Sequence, residues 1–135
     1  MFKFGTKSKQ RLGTCHTKLQ RVFNEVIKYI DCSVLEGHRD AITQNKYYEK
    51  GKSKVKYPDG RHNQVPSMAV DVVPYPVDWE DLERMTLFAG FVLGIAKSMD
   101  IDIIWGNDWD GDFQTKDTGF HDYPHFELKK EKNAK

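Results

Sequence analysis

The stretch Met68-Ala-Val-Asp71-Val-Val73, followed by Pro74, places one carboxylate inside an otherwise apolar run. Such a short apolar run, ended by Pro74 and Pro76, predicts a buried strand. An aspartate there is costly to bury unless it is paired or coordinates a cation. Asp71 is therefore the first candidate functional residue, although a salt bridge or hydrogen bonds to the backbone would account for it equally well.

Helical periodicity on both sides of this strand predicts the rest of the core. Apolar residues recur at helical spacing over residues 14–30 and 79–99, and Asp40 is expected to cap a third helix that ends near Gly51. Further strands are predicted at residues 32–35, 101–105 and 123–128. Helices of unequal length between strands are typical of an α+β domain, with helices packed on a small, mainly antiparallel sheet. Residues 1–135 are expected to form one domain, with a polar tail at 129–135.

The composition excludes several classes of protein. The 21 basic and 20 acidic residues nearly cancel, so no net field favours nucleic acid. No apolar run reaches the ~20 residues that cross a bilayer, and the start of the chain has no hydrophobic signal region. We expect a monomer without stable membrane association, made in the cytoplasm without a signal peptide. Cys15 and Cys32 are expected to be free buried thiols, with one bridge between them as the alternative.

Two histidines are placed where they could join Asp71. His62 lies in the polar connection at residues 52–66, which is expected to be a long exposed loop, and His125 lies in the last predicted strand. Two imidazoles and one carboxylate fill three corners of a tetrahedral zinc site and leave the fourth for water, as in hydrolytic zinc enzymes. From spacing alone, structural roles for these side chains remain the more common alternative, because His and Asp pairs recur by chance.

The segments that contain these residues resemble a known family. His62-Asn-Gln-Val-Pro-Ser-Met-Ala-Val-Asp71 and Asp122-Tyr-Pro-His125-Phe-Glu-Leu are similar to the paired motifs of the M15 peptidases. That family comprises D-Ala-D-Ala carboxypeptidases and dipeptidases and phage L-alanyl-D-glutamate endolysins. Glu36-Gly-His-Arg39, the Gln44 region and Trp105-Gly-Asn-Asp-Trp109 extend the resemblance over most of the chain. It implies a Hedgehog/DD-peptidase-like fold.

The resemblance also implies a role for each matching residue. One Zn²⁺ would be bound by His62, Asp71 and His125, and Asp122 would be the general base. Many relatives have Glu at the position of Asp122, and Asp there points to the phage branch. Arg39 would stabilise the oxyanion as charge develops on the scissile carbonyl.

Less specific expectations concern the rest of the site. Gln44, Trp109 and His121 are candidates for substrate binding, although no motif position claims His121 and a structural or exposed role is the simpler one. Asp108 could orient a ligand imidazole from behind. Eight residues separate His62 from Asp71, a longer loop than the commonest form of the family has, which leaves the loop geometry open.

The resemblance implies an L-Ala-D-Glu endopeptidase that acts on the stem peptide of peptidoglycan as a phage endolysin in host lysis. It would wait in the cytoplasm and reach the cell wall after release through a membrane pore. A D-Ala-D-Ala carboxypeptidase or dipeptidase is the alternative within the enzyme class. A non-catalytic, metal-stabilised wall-binding module is the alternative outside it, but such a module needs neither a base like Asp122 nor an oxyanion donor like Arg39.

Overall fold

A computed structural model of the chain describes residues 1–116 and 118–130. The predicted tail therefore lies partly outside the described residues. Four helices and four strands follow one another in chain order, with a short 3₁₀ helix at Arg61–Asn63. They are α1 (Thr6–Leu12), α2 (Thr17–Val26), β1 (Cys32–Glu36), α3 (Ala41–Glu49), β2 (Ala69–Pro74), α4 (Leu82–Ser98), β3 (Ile103–Trp105) and β4 (His125–Leu128). The predicted α+β class is confirmed.

The four strands form one antiparallel sheet in the order β1-β2-β4-β3. The last strand in the sequence is thus inserted between β2 and β3. Its register sets Asp71 directly opposite His125, and Glu36 of β1 is opposite Asp71 on the other side. Because directly opposed residues share a face of the sheet, three polar side chains lie side by side across three strands.

Helices α2 and α4 cover the other face of the sheet. Val70 and Val72 of β2 belong to the buried core, which the apolar stripes of both helices complete. Phe126 of β4 lies between the rings of Phe23 and Phe88, with centroids 5.4 and 6.3 Å away in edge-to-face arrangements. The two predicted stripes are therefore core residues, as their spacing indicates.

The helix predicted at residues 14–30 begins later, at Thr17. Cys15 forms an isolated bridge with Ser67, and the His16 imidazole caps α2 by accepting from the Lys18 amide at 3.0 Å. Helix α1 was not predicted, because seven mostly polar residues carry too little periodicity. The predicted cap of α3 is confirmed: Asp40 accepts from the Thr43 amide at 2.8 Å.

Two further expectations about the chain can be compared with the structure. Both cysteines are buried and free, as predicted. Among the described residues, no helix has the length and apolar character needed to cross a membrane.

Candidate active site

The three predicted ligand residues meet at one point. His62 Nε2 lies 3.2 Å from Asp71 Oδ1 and 3.3 Å from His125 Nδ1, and His125 Nδ1 lies 3.3 Å from the same Asp71 oxygen. Ligand atoms bound tetrahedrally to one zinc ion are about 3.3 Å apart, because each metal–ligand bond is ~2.0–2.2 Å long. The triangle therefore has the size that one small cation requires.

The outer nitrogens of both imidazoles fix the tautomers. His62 Nδ1 lies 2.7 Å from the carbonyl oxygen of Gly37, and His125 Nε2 lies 2.8 Å from Glu127 Oε1. Both oxygens are acceptors, so each outer nitrogen must donate, and a neutral ring then presents a bare lone pair on its inner nitrogen. When both rings are neutral, two lone pairs and one carboxylate oxygen face each other, an arrangement that a metal cation satisfies.

The electrostatics of this centre favour positive charge. Burial alone would raise the pKa of Asp71, but the His62 and His125 imidazoles hold it well below its usual range. Burial would likewise lower the pKa of His125, but its hydrogen bonds with Asp71 and Glu127 raise it to about 10. The protein thus stabilises a cation here, as a proton or as a metal ion.

The centre lies in the wall of a cleft of about 580 Å³. Basic residues and aromatic rings line much of this cleft, together with the carboxylates of the centre. Besides His62, Asp71 and His125, the residues that line it include Arg39, Tyr47, Lys52, Lys54, Arg61, Trp109, Phe120, Asp122, Glu127 and Lys130. An extended, charged substrate would therefore have the centre within reach.

Asp122, the predicted base, lies beside the centre. Its Oδ2 is 3.7 Å from His125 Nδ1. Gly106 fixes this position: its amide donates to His125, its carbonyl accepts from Asp122, and a Cβ on it would lie 2.2 Å from the Asp122 carbonyl oxygen. Burial, and then the charge of Asp71, raises the pKa of Asp122 to about 6. A carboxyl group with this pKa can accept and return a proton near neutral pH.

Arg39 lies on the other side of Asp71. Its Nη2 is 3.7 Å from Asp71 Oδ2, while Glu36 and Gln44 accept from Nε at 2.8 Å and from Nη1 at 3.0 Å. The guanidinium also stacks over the Tyr47 ring, 4.5 Å from its centroid. These partners hold a permanent positive charge next to the centre, although only 9% of the side chain is exposed.

Three of the less specific candidates make contacts that their predicted roles did not include. Gln44 lines the cleft but is buried, and its amide joins Arg39, Asn63, Ser53 and Val55. It therefore holds Arg39 in place, and its contact with substrate stays a prediction. His121 is exposed, pairs with Asn107 and does not line the cleft. Asp108 accepts from the Phe113 amide and groups with Asp110 and Asp112, away from both imidazoles.

Trp109 lines the cleft, as predicted for a substrate-binding residue, and its ring lies 5.4 Å from that of His125. Sequence reasoning missed Glu127 and Glu36, which hold His125 and Arg39. The alternation of side chains along a strand could have identified Glu127 as a neighbour of His125, because residues two apart on β4 share a face of the sheet.

The connection at residues 52–66 is less exposed than expected. His62 and Asn63 are buried, at 3% and 7% exposure. The His62 carbonyl accepts from the Arg39 amide at 2.8 Å, and the Asn63 amide group donates to the Arg39 carbonyl at 3.0 Å. These contacts tie the first ligand to the segment after β1, so the longer loop still delivers His62 to the centre.

A three-ligand centre that opens onto a cleft, with a carboxylate and a guanidinium beside it, is the arrangement of a metallopeptidase. The family model of the phage L-alanyl-D-glutamate peptidases matches residues 1–129. The chain belongs to this family, and the resemblance noted in its motifs is thereby confirmed.

Two relatives agree with this assignment. The L-alanyl-D-glutamate peptidase of Escherichia phage T5 is 28% identical, over 94% of this chain and 98% of its own. The crystal structure of the Serratia marcescens L-Ala D-Glu endopeptidase ChiX superposes with a TM-score of 0.72 at 28% identity, over 94% of this chain and 90% of its own. Both similarities cover more than nine-tenths of this chain.

Proposed function

We propose that this protein is a zinc-dependent endopeptidase that cleaves the L-Ala–D-Glu bond of the peptidoglycan stem peptide, and that it serves as a phage endolysin. The single observation that carries the proposal is the triangle of His62, Asp71 and His125 with Asp122 at its edge. Membership of the phage family supports the choice of bond, because the two relatives named above are L-Ala–D-Glu peptidases.

The donor set suits zinc. Two neutral imidazole nitrogens and one carboxylate oxygen are typical ligands of catalytic Zn²⁺, which keeps a further position open. When bound, the ion would acidify a water molecule and polarise the carbonyl of the scissile peptide. His62, Asp71 and His125 are the residues that would hold it.

The chain's own residues supply the remaining chemistry. Asp122 would take the proton from the attacking water and deliver it to the leaving amine, which in this substrate is the nitrogen of D-Glu. Glu36 and Gln44 accept from three of the five N–H groups of Arg39, at Nε, Nη1 and Nη2. The others are free to donate to the carbonyl oxygen as negative charge develops there.

Digestion of purified sacculi tests the proposal. Mass spectrometry of the products should find new amino-terminal D-Glu, whereas a D-Ala-D-Ala carboxypeptidase or dipeptidase would release D-Ala and leave that terminus absent. A chelator should abolish the cleavage, and added zinc should restore it.

Asp122→Asn provides the matched control. It should bind zinc like the parent chain but lose about 10²–10⁴-fold in turnover, the usual contribution of a general base. Full activity in this variant would remove Asp122 from the mechanism. Zinc binding without cleavage of any wall peptide by the parent chain would instead favour a wall-binding module.

A further inference from the structure

The two ligand imidazoles are held in different ways. His62 presents Nε2 to the centre and donates its other N–H to the backbone carbonyl of Gly37. His125 presents Nδ1 and directs Nε2 to the side chain of Glu127. A backbone carbonyl stays in place whatever residue carries it, whereas a carboxylate has to be positioned. The orientation of His125 therefore depends on what holds Glu127.

Strand geometry brings Glu127 to this place. His125 and Glu127 are two residues apart on β4 and share the face of the sheet that looks into the cleft. Ala69 is opposite Glu127 in the register, and its small side chain leaves room for a long one. Only 16% of the Glu127 side chain is exposed, so its charge requires a partner.

Arg61 is that partner. Its Nε lies 3.5 Å from Glu127 Oε2, and its Nη2 donates to the carbonyl of Leu128, at the end of β4, at 2.7 Å. The buried Nε makes no hydrogen bond within the described part of the chain, so the nearby carboxylate oxygen is its main compensation. The guanidinium thus lies against one oxygen of Glu127 while the other faces His125.

Arg61 also belongs to the ligand loop. It directly precedes His62, and its carbonyl accepts from the Met68 amide at 3.1 Å, just before β2. One side chain therefore connects the loop that carries the first ligand to the strand that carries the third. Such an anchor allows a loop of eight residues between His62 and Asp71 to keep His62 in place.

We propose that Glu127, held by Arg61, is a positioning residue that selects Nδ1 of His125 as the metal-binding atom, and that Arg61 anchors the ligand loop to β4 through it. The inference rests on the proposed function in one respect, namely that His125 is a metal ligand. Carboxylates behind ligand imidazoles usually contribute 10–100-fold in metal affinity, which sets the expected magnitude.

The experiment measures which nitrogen of His125 binds zinc and how tightly zinc is held. Long-range ¹H–¹⁵N spectra of the zinc-loaded full chain identify the nitrogen, and competition with a chelator gives the Kd. Glu127→Ala should raise the Kd about 10–100-fold and populate binding through Nε2. Glu127→Gln should rescue Nδ1 binding, because the amide oxygen still accepts from Nε2, and should raise the Kd less.

Asp102→Ala is the matched control, since it removes a carboxylate from the exposed ion pair with Lys97, at 2.7 Å, and Asp102 is not among the residues that line the cleft. It should leave both readouts unchanged. Arg61→Gln should raise the Kd by itself but add little to Glu127→Ala, because the two residues act through one contact. Circular dichroism verifies folding, and if Glu127→Ala does not fold, Glu127→Gln and Arg61→Gln still give both readouts.

An unchanged Kd and unchanged Nδ1 binding in Glu127→Ala would overturn the inference while leaving the proposed function intact. If Arg61→Gln and Glu127→Ala weaken zinc binding additively when combined, Arg61 does not act through Glu127. If the parent chain binds no zinc, the proposed function fails instead, and the parent measurement reveals this before any variant is compared.

Discussion

The two faces of β2 differ in what the sequence has to specify. On one face, Val70 and Val72 pack against α2 and α4, and any set of well-fitting apolar side chains would serve. On the other face, Asp71 lies between Glu36 and His125, and these side chains have specific polar partners. Stability comes mainly from the first face and chemistry from the second.

The comparison teaches that the catalytic face depends on connections that the core does not need. Burial on the helical face is non-directional and scales with the apolar area removed from water. The cleft face requires hydrogen bonds of defined direction, which come from the loops before β2 and after β3 as well as from the strands. The helical face should therefore tolerate changes of shape, and the cleft face should tolerate almost none.

The largest effect should come from a charge on the wrong face. Val72 is 1% exposed within the core, next to Asp71 on the same strand. Val72→Asp buries an unpaired carboxylate among apolar side chains, so we expect loss of cooperative folding, an effect above about 4–5 kcal/mol. Circular dichroism and urea titration measure it.

Val72→Ala serves as the control, with a loss of about 2 kcal/mol from the removed methyl groups. If Val72→Asp unfolds cooperatively at the urea concentration of the parent chain, the two faces do not differ as described.

An intermediate effect is expected at Gln44, which is 1% exposed. Gln44→Leu keeps the volume but leaves the hydrogen bonds to Arg39 and Asn63 unmade, at about 1–3 kcal/mol of unfolding free energy. Turnover should fall as well, because Arg39 loses a fixed partner. Thermal unfolding and peptidase assays measure the two losses.

Ile42→Ala on the same helix, where the side chain is 71% exposed, should change neither quantity. A Gln44→Leu protein with the turnover of the parent chain would show that Arg39 is held without it.

The smallest effect concerns the cysteines, which lie away from the cleft. Burial raises the pKa of both Cys15 and Cys32 to about 12. At pH 9 a free thiol is substantially ionised, whereas these two thiols remain protonated. Iodoacetamide at pH 9 should therefore alkylate them slowly in the native chain and rapidly after unfolding. Mass spectrometry of timed samples measures it, and alkylation of the native chain at the rate of a free thiol would show that the protein opens there.

Much of the fold was predictable from the sequence because its signals are local. The apolar stripes of α2 and α4, the run around Asp71 and the cap at Asp40 each indicated an element that the structure contains. Helix α1 was missed because its seven residues pack on β1 without a periodic pattern of their own. α2 and β4 begin a few residues later than predicted, since Cys15 bridges Ser67 just before α2 and Pro124 directly precedes β4.

The candidate site divides in the same way. Motifs predicted the residues proposed as ligands, base and oxyanion donor, and these roles stay a proposal. The residues are His62, Asp71, His125, Asp122 and Arg39. Among the residues that hold them, Glu127 and Glu36 were not identified, and Gln44 was predicted only as a substrate contact. Asp108, predicted to lie behind an imidazole, accepts from the Phe113 amide. A hydrogen bond between residues far apart in sequence cannot be predicted from their spacing, because it depends on strand register and on the path of the loops.

By itself, the sequence determined which residue types are available for chemistry and which segments bury apolar surface, since composition and periodicity are properties of neighbours along the chain. Only the tertiary structure decided that β4 enters between β2 and β3, that His125 therefore faces Asp71, and that Glu127 and the Gly37 carbonyl lie behind the two imidazoles. Those decisions are made by contacts between segments up to 67 residues apart, whose geometry exists only after the chain has folded.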